Sequence, residues 1–376
     1  MSKDKFSRRK ALTWLAGIAA APQAFAQTAP PASRLSPHDP GATPFASVVP
    51  GYALRFPHDE GSHPDFRIEW WYLTGWLTNV EKKSLGFQIT FFRARPGRTT
   101  ANPSAFAPHH ILIAHAAISD PERRRLQHDQ RAARAVFDLA GAGLGRTNVW
   151  VDDWSLRQQG GHHVATVAAK SFRLDLALTA TQAPLLQGVA GFSQKGPRPE
   201  SASYYYSIPQ LDTSGTVTRN SKAERVRGVS WLDHEWSSSY MDERAVGWDW
   251  IGINLDDGGA LMAFQMRDAG GRAFWAGGTH RGADGQMQVL ARDAVRFMPL
   301  RHWRSPRTGT NYPVSWRVHA GEREIDIEPL FDDQENDTRA TTGAIYWEGA
   351  VRALRAGKPV GRGYLELTGY WRPLQL

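Results

Sequence analysis

Short runs of period-two alternation constrain this chain more than any other feature. "LGFQITFF" (85–92), "HHVATVAA" (162–169), "FRLDLALTA" (172–180), "GALMAFQM" (259–266) and "REIDIEPL" (323–330) each have strand length and strand period. Gly, Asp and Asn punctuate them, and "LDDGGA" (255–260) joins two such runs in the manner of a hairpin turn. Helical spacing is scarce, and its best candidate is "DQRAARAVFDLA" (129–140). The expected fold class is all-β, built from many antiparallel strands. With 376 residues the chain is long enough for two domains of this kind.

Self-comparison finds one order of marks twice. Glu69-Trp70 leads to Phe87-Gln88, and Asp249-Trp250 leads to Phe264-Gln265 over a slightly shorter gap. Further on, Gly228 to Trp236 ("GVSWLDHEW") and Gly363 to Trp371 ("GYLELTGYW") span equal lengths. Each follows an aromatic cluster, Tyr204-Tyr205-Tyr206 in one case and Tyr346-Trp347 in the other. The order predicts two tandem β-meanders, each closing on itself because closure removes sticky sheet edges. The boundary falls near Arg244, giving an N-terminal barrel over 51–244 and a C-terminal barrel over 245–376. A barrel of about eight strands has room for one small ligand. Whether the cavity lies inside a barrel or between the two stays open.

Residues 1–26 have a basic start, an apolar run from Ala11 to Ala21 and the small-residue end Ala24-Phe25-Ala26. That layout predicts a secretory signal peptide cleaved after Ala26, with an apolar run too short to span a bilayer. Ser7-Arg8-Arg9 resembles the twin-arginine export motif, although Ala11 stands where that motif has Phe. An ordinary secretory signal is the alternative, and either route predicts a periplasmic or secreted protein. Residues 27–50, rich in Pro, Ala and Ser, are expected to form an extended tether. No later segment is long and apolar enough to be a membrane span. The formal net charge is +8, and the leader supplies half of it through Lys3, Lys5, Arg8, Arg9 and Lys10 against Asp4. The other basic residues are scattered, so nucleic acid is not an expected partner. There is no cysteine, which excludes thiol nucleophiles, disulfides and zinc–thiolate sites.

Tryptophan is abundant, at fifteen residues, and three stretches combine it with carboxylates: "IEWWYLTGW" (68–76), "SWLDHEWSS" (230–238) and "GWDWIGINL" (247–255). Under the repeat these are the first and last strands of unit one and the first strand of unit two. First and last strands of a closed barrel are neighbours, which brings Glu69 toward the group from Asp233 to Trp236. In strand conformation Leu232, His234 and Trp236 share one face, and Trp231, Asp233 and Glu235 the other. His234, Asp233 and Glu69 are the acid–base candidates, a carboxyl raised in pKa by burial among indoles being a good proton donor. Trp70, Trp71, Tyr72, Trp236, Trp248, Trp250, Tyr346 and Trp347 are the expected contacts for an apolar ligand. Such a set suits hydration of an alkene: an acid protonates C=C, aromatic faces hold the cation at about 2 kcal/mol each, and water adds. The alternative for these charges is a packed strand that faces solvent or bridges the barrels. No cofactor and no metal is expected; His109 and His115 share a face in "HHILIAH" but lack a third ligand. Gly-x-Ser-x-Gly does not occur, and the Ser, Asp and His of 230–238 cannot converge from one strand.

"HPDFRIEWWYLTGWL", "SWLDHEW", "GWDWIGINLDDG" and "YWEGAVR" resemble the AttH-type, lipocalin-like family that includes bacterial carotenoid 1,2-hydratases. The likeness runs from about Tyr52 to Trp371. It implies two lipocalin-like, calycin-type antiparallel β-barrels in tandem. The implied ligand is an apolar polyene, isoprenoid or lipid. In the hydratase branch a His and a Trp two positions apart are implicated in activity, which corresponds to His234 and Trp236. A Tyr and an Asp are implicated there too, with Asp249 as the candidate for the Asp. The leader and tether resemble the branch described as predicted secreted hydrolases, often encoded beside ABC-transporter permeases. A non-catalytic periplasmic carrier of lipids or apolar ligands, with an ABC transporter as partner, is therefore the alternative function.

Overall fold

The computed structural model describes residues 45–96 and 109–374, so the expected leader at 1–26 and most of the expected tether lie outside the described residues. The described residues fall in one compact unit. Among them the only helical elements are two 3-10 turns, His58–Glu60 and Arg292–Ala294; two antiparallel sheets carry the fold.

The first sheet begins with β1 (Ile68–Asn79), β2 (Ser84–Ala94), β3 (Ile111–Ser119), β4 (Gln127–Arg134), β5 (Ala140–Ala142) and β6 (Asn148–Val151). It continues through β7 (Trp154–Gln159), β8 (His162–Ala168), β9 (Phe172–Thr179), β10 (Leu185–Leu186), β11 (Phe192–Gln194), β12 (Ala202–Arg219) and β13 (Lys222–Ser239). The second sheet holds β14 (Gly247–Leu255), β15 (Ala260–Arg267), β16 (Ala273–Arg281), β17 (Met287–Leu290) and β18 (Val295–Arg304). Its remaining strands are β19 (Asn311–Ala320), β20 (Arg323–Pro329), β21 (Glu335–Asp337), β22 (Ile345–Arg355) and β23 (Lys358–Leu367).

The expected helix at 129–140 is not one. β4 pairs along β3, and the chain then turns into β5. Its Ala and Arg content favours helix locally, but the open edge of β3 offers hydrogen bonds that override propensity.

The first sheet runs β4-β3-β2-β1-β13-β12-β9-β8-β7-β6-β5, with β10 and β11 also paired to β12. The second runs β17-β16-β15-β14-β23-β22-β20-β19-β18, with β21 also paired to β22. In both, the first strand lies against the last, β1 on β13 and β14 on β23. Contacts between β4 and β5 nearly close the first sheet into a barrel.

Register refines the repeat. Trp70 faces Phe92 on one side and Glu235 on the other; Trp250 faces Phe264 and Glu366. The acid before each Trp faces Arg93 in one sheet and Gln265 in the other. Phe87-Gln88, the expected counterpart of Phe264-Gln265, instead pairs with Gly75 and Thr74, further along β1. Likewise Gly228 faces Leu77 whereas Gly363 faces Ile253, and Trp371 lies beyond the last strand. β1 and β13 are longer than β14 and β23, so equal spacing in sequence does not mean equal register.

Alternation gives each sheet two buried faces. Trp71, Leu73, Phe87, Phe91, Leu232 and Trp236 belong to the core of the first sheet, and Ile251, Ile253, Trp316, Trp347 and Leu365 to that of the second. A third cluster joins the sheets, setting Tyr72, Trp76, Tyr205 and Trp231 against Trp250, Met262, Phe264 and Tyr364. The end of the expected tether is packed rather than extended free of the core. Val48 is buried, Val49 N–H donates to Tyr204 Oη at 3.0 Å, and Ser238 Oγ donates to the Ala46 carbonyl at 2.5 Å.

Candidate functional site

Both sheets line a cavity of about 360 Å³ between them. Alternation decides which side chains reach it. Trp70 and Tyr72 on β1, Asp233 and Glu235 on β13, Trp248 and Trp250 on β14, and Tyr346 and Glu348 on β22 are each two apart, so each pair lands on one face. Glu366 on β23 joins them, with Phe92, His115, Tyr205 and Tyr240. The rings pack edge to face, with centroids 5.4 Å apart for Tyr72–Trp250, 5.0 Å for Trp70–Tyr240 and 5.6 Å for Tyr240–Trp248.

Four carboxyls look into this aromatic enclosure. Glu348 and Glu366 are direct cross-strand partners. Glu366 Oε2 accepts a hydrogen bond from Trp248 Nε1 at 2.7 Å. Burial pushes Glu366 up to about 7; burial, and then the adjacent Glu366, push Glu348 well above the carboxylate range. The two titrate as a pair that holds a proton at neutral pH. Burial also raises Asp233 to about 7, although it accepts from Tyr205 Oη at 2.9 Å, Trp231 Nε1 at 2.7 Å and Ser207 Oγ. Glu235 is raised by burial as well, opposed by Lys195 Nζ at 2.9 Å. Lys195 is itself buried, which lowers its pKa, and its ammonium lies 4.4 Å from the ring centroid of Phe264 and 4.8 Å from that of Tyr205.

A second polar cluster sits behind β1. Glu69 Oε1 accepts from His63 Nδ1 at 2.8 Å and His234 Nε2 at 2.9 Å; Oε2 accepts from Arg93 Nε at 2.7 Å and Ser62 Oγ at 2.9 Å. Burial opposes ionisation of Glu69, but Arg93, His234 and His63 together outweigh it and hold the carboxyl well below its ordinary value. Burial lowers His234 to about 4, so this ring is neutral. The same burial acts on His63, where Asp59 and Glu69 win and raise it. The rings are fixed by stacking, His63 on Trp236 with centroids 3.6 Å apart and His234 on Trp71 at 4.6 Å. His63, Glu69 and His234 place one ligand atom each within 4.8 Å of one another. Arg93 and the ring protons directed at Glu69 already supply the positive charge a metal would bring. The residues therefore fit a hydrogen-bonded cluster better than a metal centre.

Of the residues expected from sequence, Asp233, Trp70, Tyr72, Trp248, Trp250 and Tyr346 line the cavity, and Glu69 borders it. Trp71, His234 and Trp236 occupy the opposite faces of β1 and β13, Trp71 and Trp236 in the core of the first sheet and His234 on Glu69. Trp347 enters the core of the second sheet, donating Nε1 to the Asp332 carbonyl at 2.7 Å. Asp249 is held by Arg267 at 3.0 Å and by Gln265 at 2.7 Å, a counterpart of the Glu69–Arg93 pair. Glu69 as the raised-pKa proton donor is thus reversed: its cationic neighbours keep it ionised. The histidines of 109–115 do not converge, since His109 is exposed and His115 is buried against Tyr346 at 3.1 Å and Thr341 at 2.9 Å. His163, on the strand expected at 162–169, is buried on β8. Glu348, Glu366 and Lys195 escape a sequence reading. For Glu348 and Glu366 the one signal is a lone charge at a strand position where alternation calls for an apolar residue, whereas Lys195 lies just past β11 and has no such signal.

The cavity belongs to a fold with known relatives. A model of an AttH-like family matches residues 47–370. The chain is similar to the crystal structure of a Nitrosomonas europaea protein assigned to AttH, with 52% identity and a TM-score of 0.82, over 87% of this chain and 100% of that one. It is similar in fold alone to kievitone hydratase from Nectria haematococca, with 15% identity and a TM-score of 0.65, over 88% of this chain and 98% of that one. No curated protein matches. Since the family match spans both sheets and the cavity between them, this chain belongs to the AttH-like family.

Proposed function

We propose that the protein adds water to an apolar, unsaturated small molecule in the cavity between its sheets, by cofactor-independent proton transfer. The observation that carries this reading is the Glu348–Glu366 pair, a proton-holding couple on an aromatic wall. One carboxyl of the pair gives its proton to a carbon of C=C, forming C–H and leaving a carbocation. Water adds through oxygen, and the oxonium returns a proton to the carboxylate, so the product is heavier by one water. The faces of Trp70, Trp248 and Trp250 hold the cation at about 2 kcal/mol each when desolvated. In this reading Asp233, which lines the same cavity, orients the water. A cavity of about 360 Å³ equals about a dozen water volumes, which suits a short isoprenoid or the end of a longer polyene. Kievitone hydratase supports the reading only through a shared fold. The leader-like residues 1–26 support export to the periplasm.

The test is incubation with a panel of linear and cyclic isoprenoid alkenes in oxygen-labelled water, read by mass spectrometry. Wild type is expected to give a labelled hydrate, and Glu348→Gln with Glu366→Gln to lose at least about a hundredfold in rate. A panel without hydrate, or a double variant as active as wild type, removes the reading. If the protein hydrates nothing yet retains a co-purified apolar ligand in native mass spectrometry, the carrier reading with an ABC transporter as partner replaces it.

A further inference from the structure

The register that relates the two sheets also compares their charges. Glu235 and Glu366 hold the same place, each opposite the Trp that follows the first strand's acid. In the first sheet this Glu has a resident ammonium: Lys195 Nζ lies 2.9 Å from Glu235, with the rings of Phe264, Tyr205 and Tyr240 centred 4.4, 4.8 and 5.3 Å away. In the second sheet Glu366 has Glu348 beside it instead. Neither forms an ion pair among the described residues, and neither does Asp233 across the cavity.

Two further polar atoms in the same wall are poorly satisfied. Glu348 Oε1 and Tyr72 Oη are neighbours in the wall, on residues only 2% and 7% exposed; the hydroxyl and the carboxyl interact with one another, but neither atom makes a hydrogen bond of normal geometry. Tyr346 and Trp248 complete this corner. The remaining cation of the wall, Arg93, is committed to Glu69, and His115 is kept neutral by burial. Carboxylates among aromatic faces form a receptor for an organic cation, attracted by the ring quadrupoles and by the charge.

We infer that the Glu348–Glu366 corner is a binding site for an organic ammonium ion, a protonated amine or quaternary ammonium with a small apolar body. This rests on the proposed function only in sharing its cavity. Where hydration is the reaction, such a ligand resembles the carbocation; where it is not, the ammonium ligand stands by itself.

The experiment compares benzyltrimethylammonium with its uncharged isostere, neopentylbenzene, by quenching of tryptophan fluorescence. Wild type above about pH 7 is expected to bind the cation at least about tenfold more tightly than the isostere. The preference is expected to vanish in the Glu348→Gln/Glu366→Gln variant and to persist in Glu324→Gln, whose carboxylate lies on the exposed surface. In wild type the cation's affinity is expected to rise as pH increases through about 7 while that of the isostere stays flat, a readout that holds even where the double variant fails to fold. Equal affinities, absence of binding, a preference intact in the double variant, or a cation affinity indifferent to pH each overturn the inference. Hydration without ammonium preference would remove this inference alone, and ammonium preference without hydration would remove the catalytic reading alone.

Discussion

At Lys195 one carboxylate decides whether a buried charge is tolerable. The ammonium has left water, and its compensation is Glu235 at 2.9 Å, Ser193 Oγ at 2.9 Å and three aromatic faces. In Lys195→Met, Glu235 loses its cation and stays tolerable only as a neutral acid. Its folded pKa then rises further above the unfolded value, so the native state holds a proton the unfolded state has released. Stability must therefore decline with rising pH. The variant is expected to match wild type near pH 5 and to fall about 3 kcal/mol below it in alkaline solution, in urea melts across pH. A deficit equal at every pH would mean that lost packing, not stranded charge, is the cause. Asp233 and Glu69 stand out in the sequence because each sits within a Trp-rich run. Their protonation does not: Glu69 is held ionised by Arg93, which lies across a strand pair and reads in sequence as an ordinary polar residue beside "TFF".

Strands carry the next level of the argument, and Gly86 on β2 marks how closely they approach. A Cβ there would meet Ala350 Cβ at 2.5 Å and Tyr364 Oη at 2.7 Å, both from the other sheet. The glycine is needed for this approach and not for an unusual backbone angle. Gly86→Val is expected to wedge β2 away from β22 and β23 and to cost about 1–3 kcal/mol, with Gly86→Ala intermediate, in thermal melts. Melting temperatures indistinguishable from wild type would show that the sheets do not rely on this contact. Strand existence was readable from period-two runs, and the seam of first on last strand from the closure that the repeat implied. Register was not, because it depends on strand length and turn position, and β1 and β13 outrun β14 and β23. For the same reason the alternation told which side chains share a face on β13 but not which face meets the cavity. His234 and Trp236, singled out by resemblance, took the face that packs on Glu69 and the first core.

The sheets together form one compact unit, and much of their joint is a cluster of buried aromatic and apolar side chains. Trp76, Tyr205 and Trp231 pack on Trp250, Met262 and Phe264, and hydrogen bonds cross the joint from Trp76 Nε1 to the Gly363 carbonyl at 3.0 Å and from Trp275 Nε1 to the Gln194 carbonyl at 2.9 Å. Separating the sheets exposes this surface and strands those donors, so neither is expected to outlast the other on heating. Calorimetry should show one transition, with calorimetric and van 't Hoff enthalpies in a ratio of about one. The charges at the joint add a direction. Asp233 and Glu366 are raised to about 7 from ordinary values near 4, so between those limits the native state binds more protons and stability falls as pH rises. Glu69 acts oppositely, being depressed, and its contribution is lost as pH falls below the ordinary carboxylate range. Buried His234 and His115, lowered to about 4 and about 3, cost stability once pH falls below the ordinary histidine value. Maximum stability is therefore expected between about pH 5 and 7, and the single calorimetric peak should move down as a whole toward pH 8. Two peaks of which only one moves would show that the acids belong to one sheet's unfolding and that the joint is not cooperative.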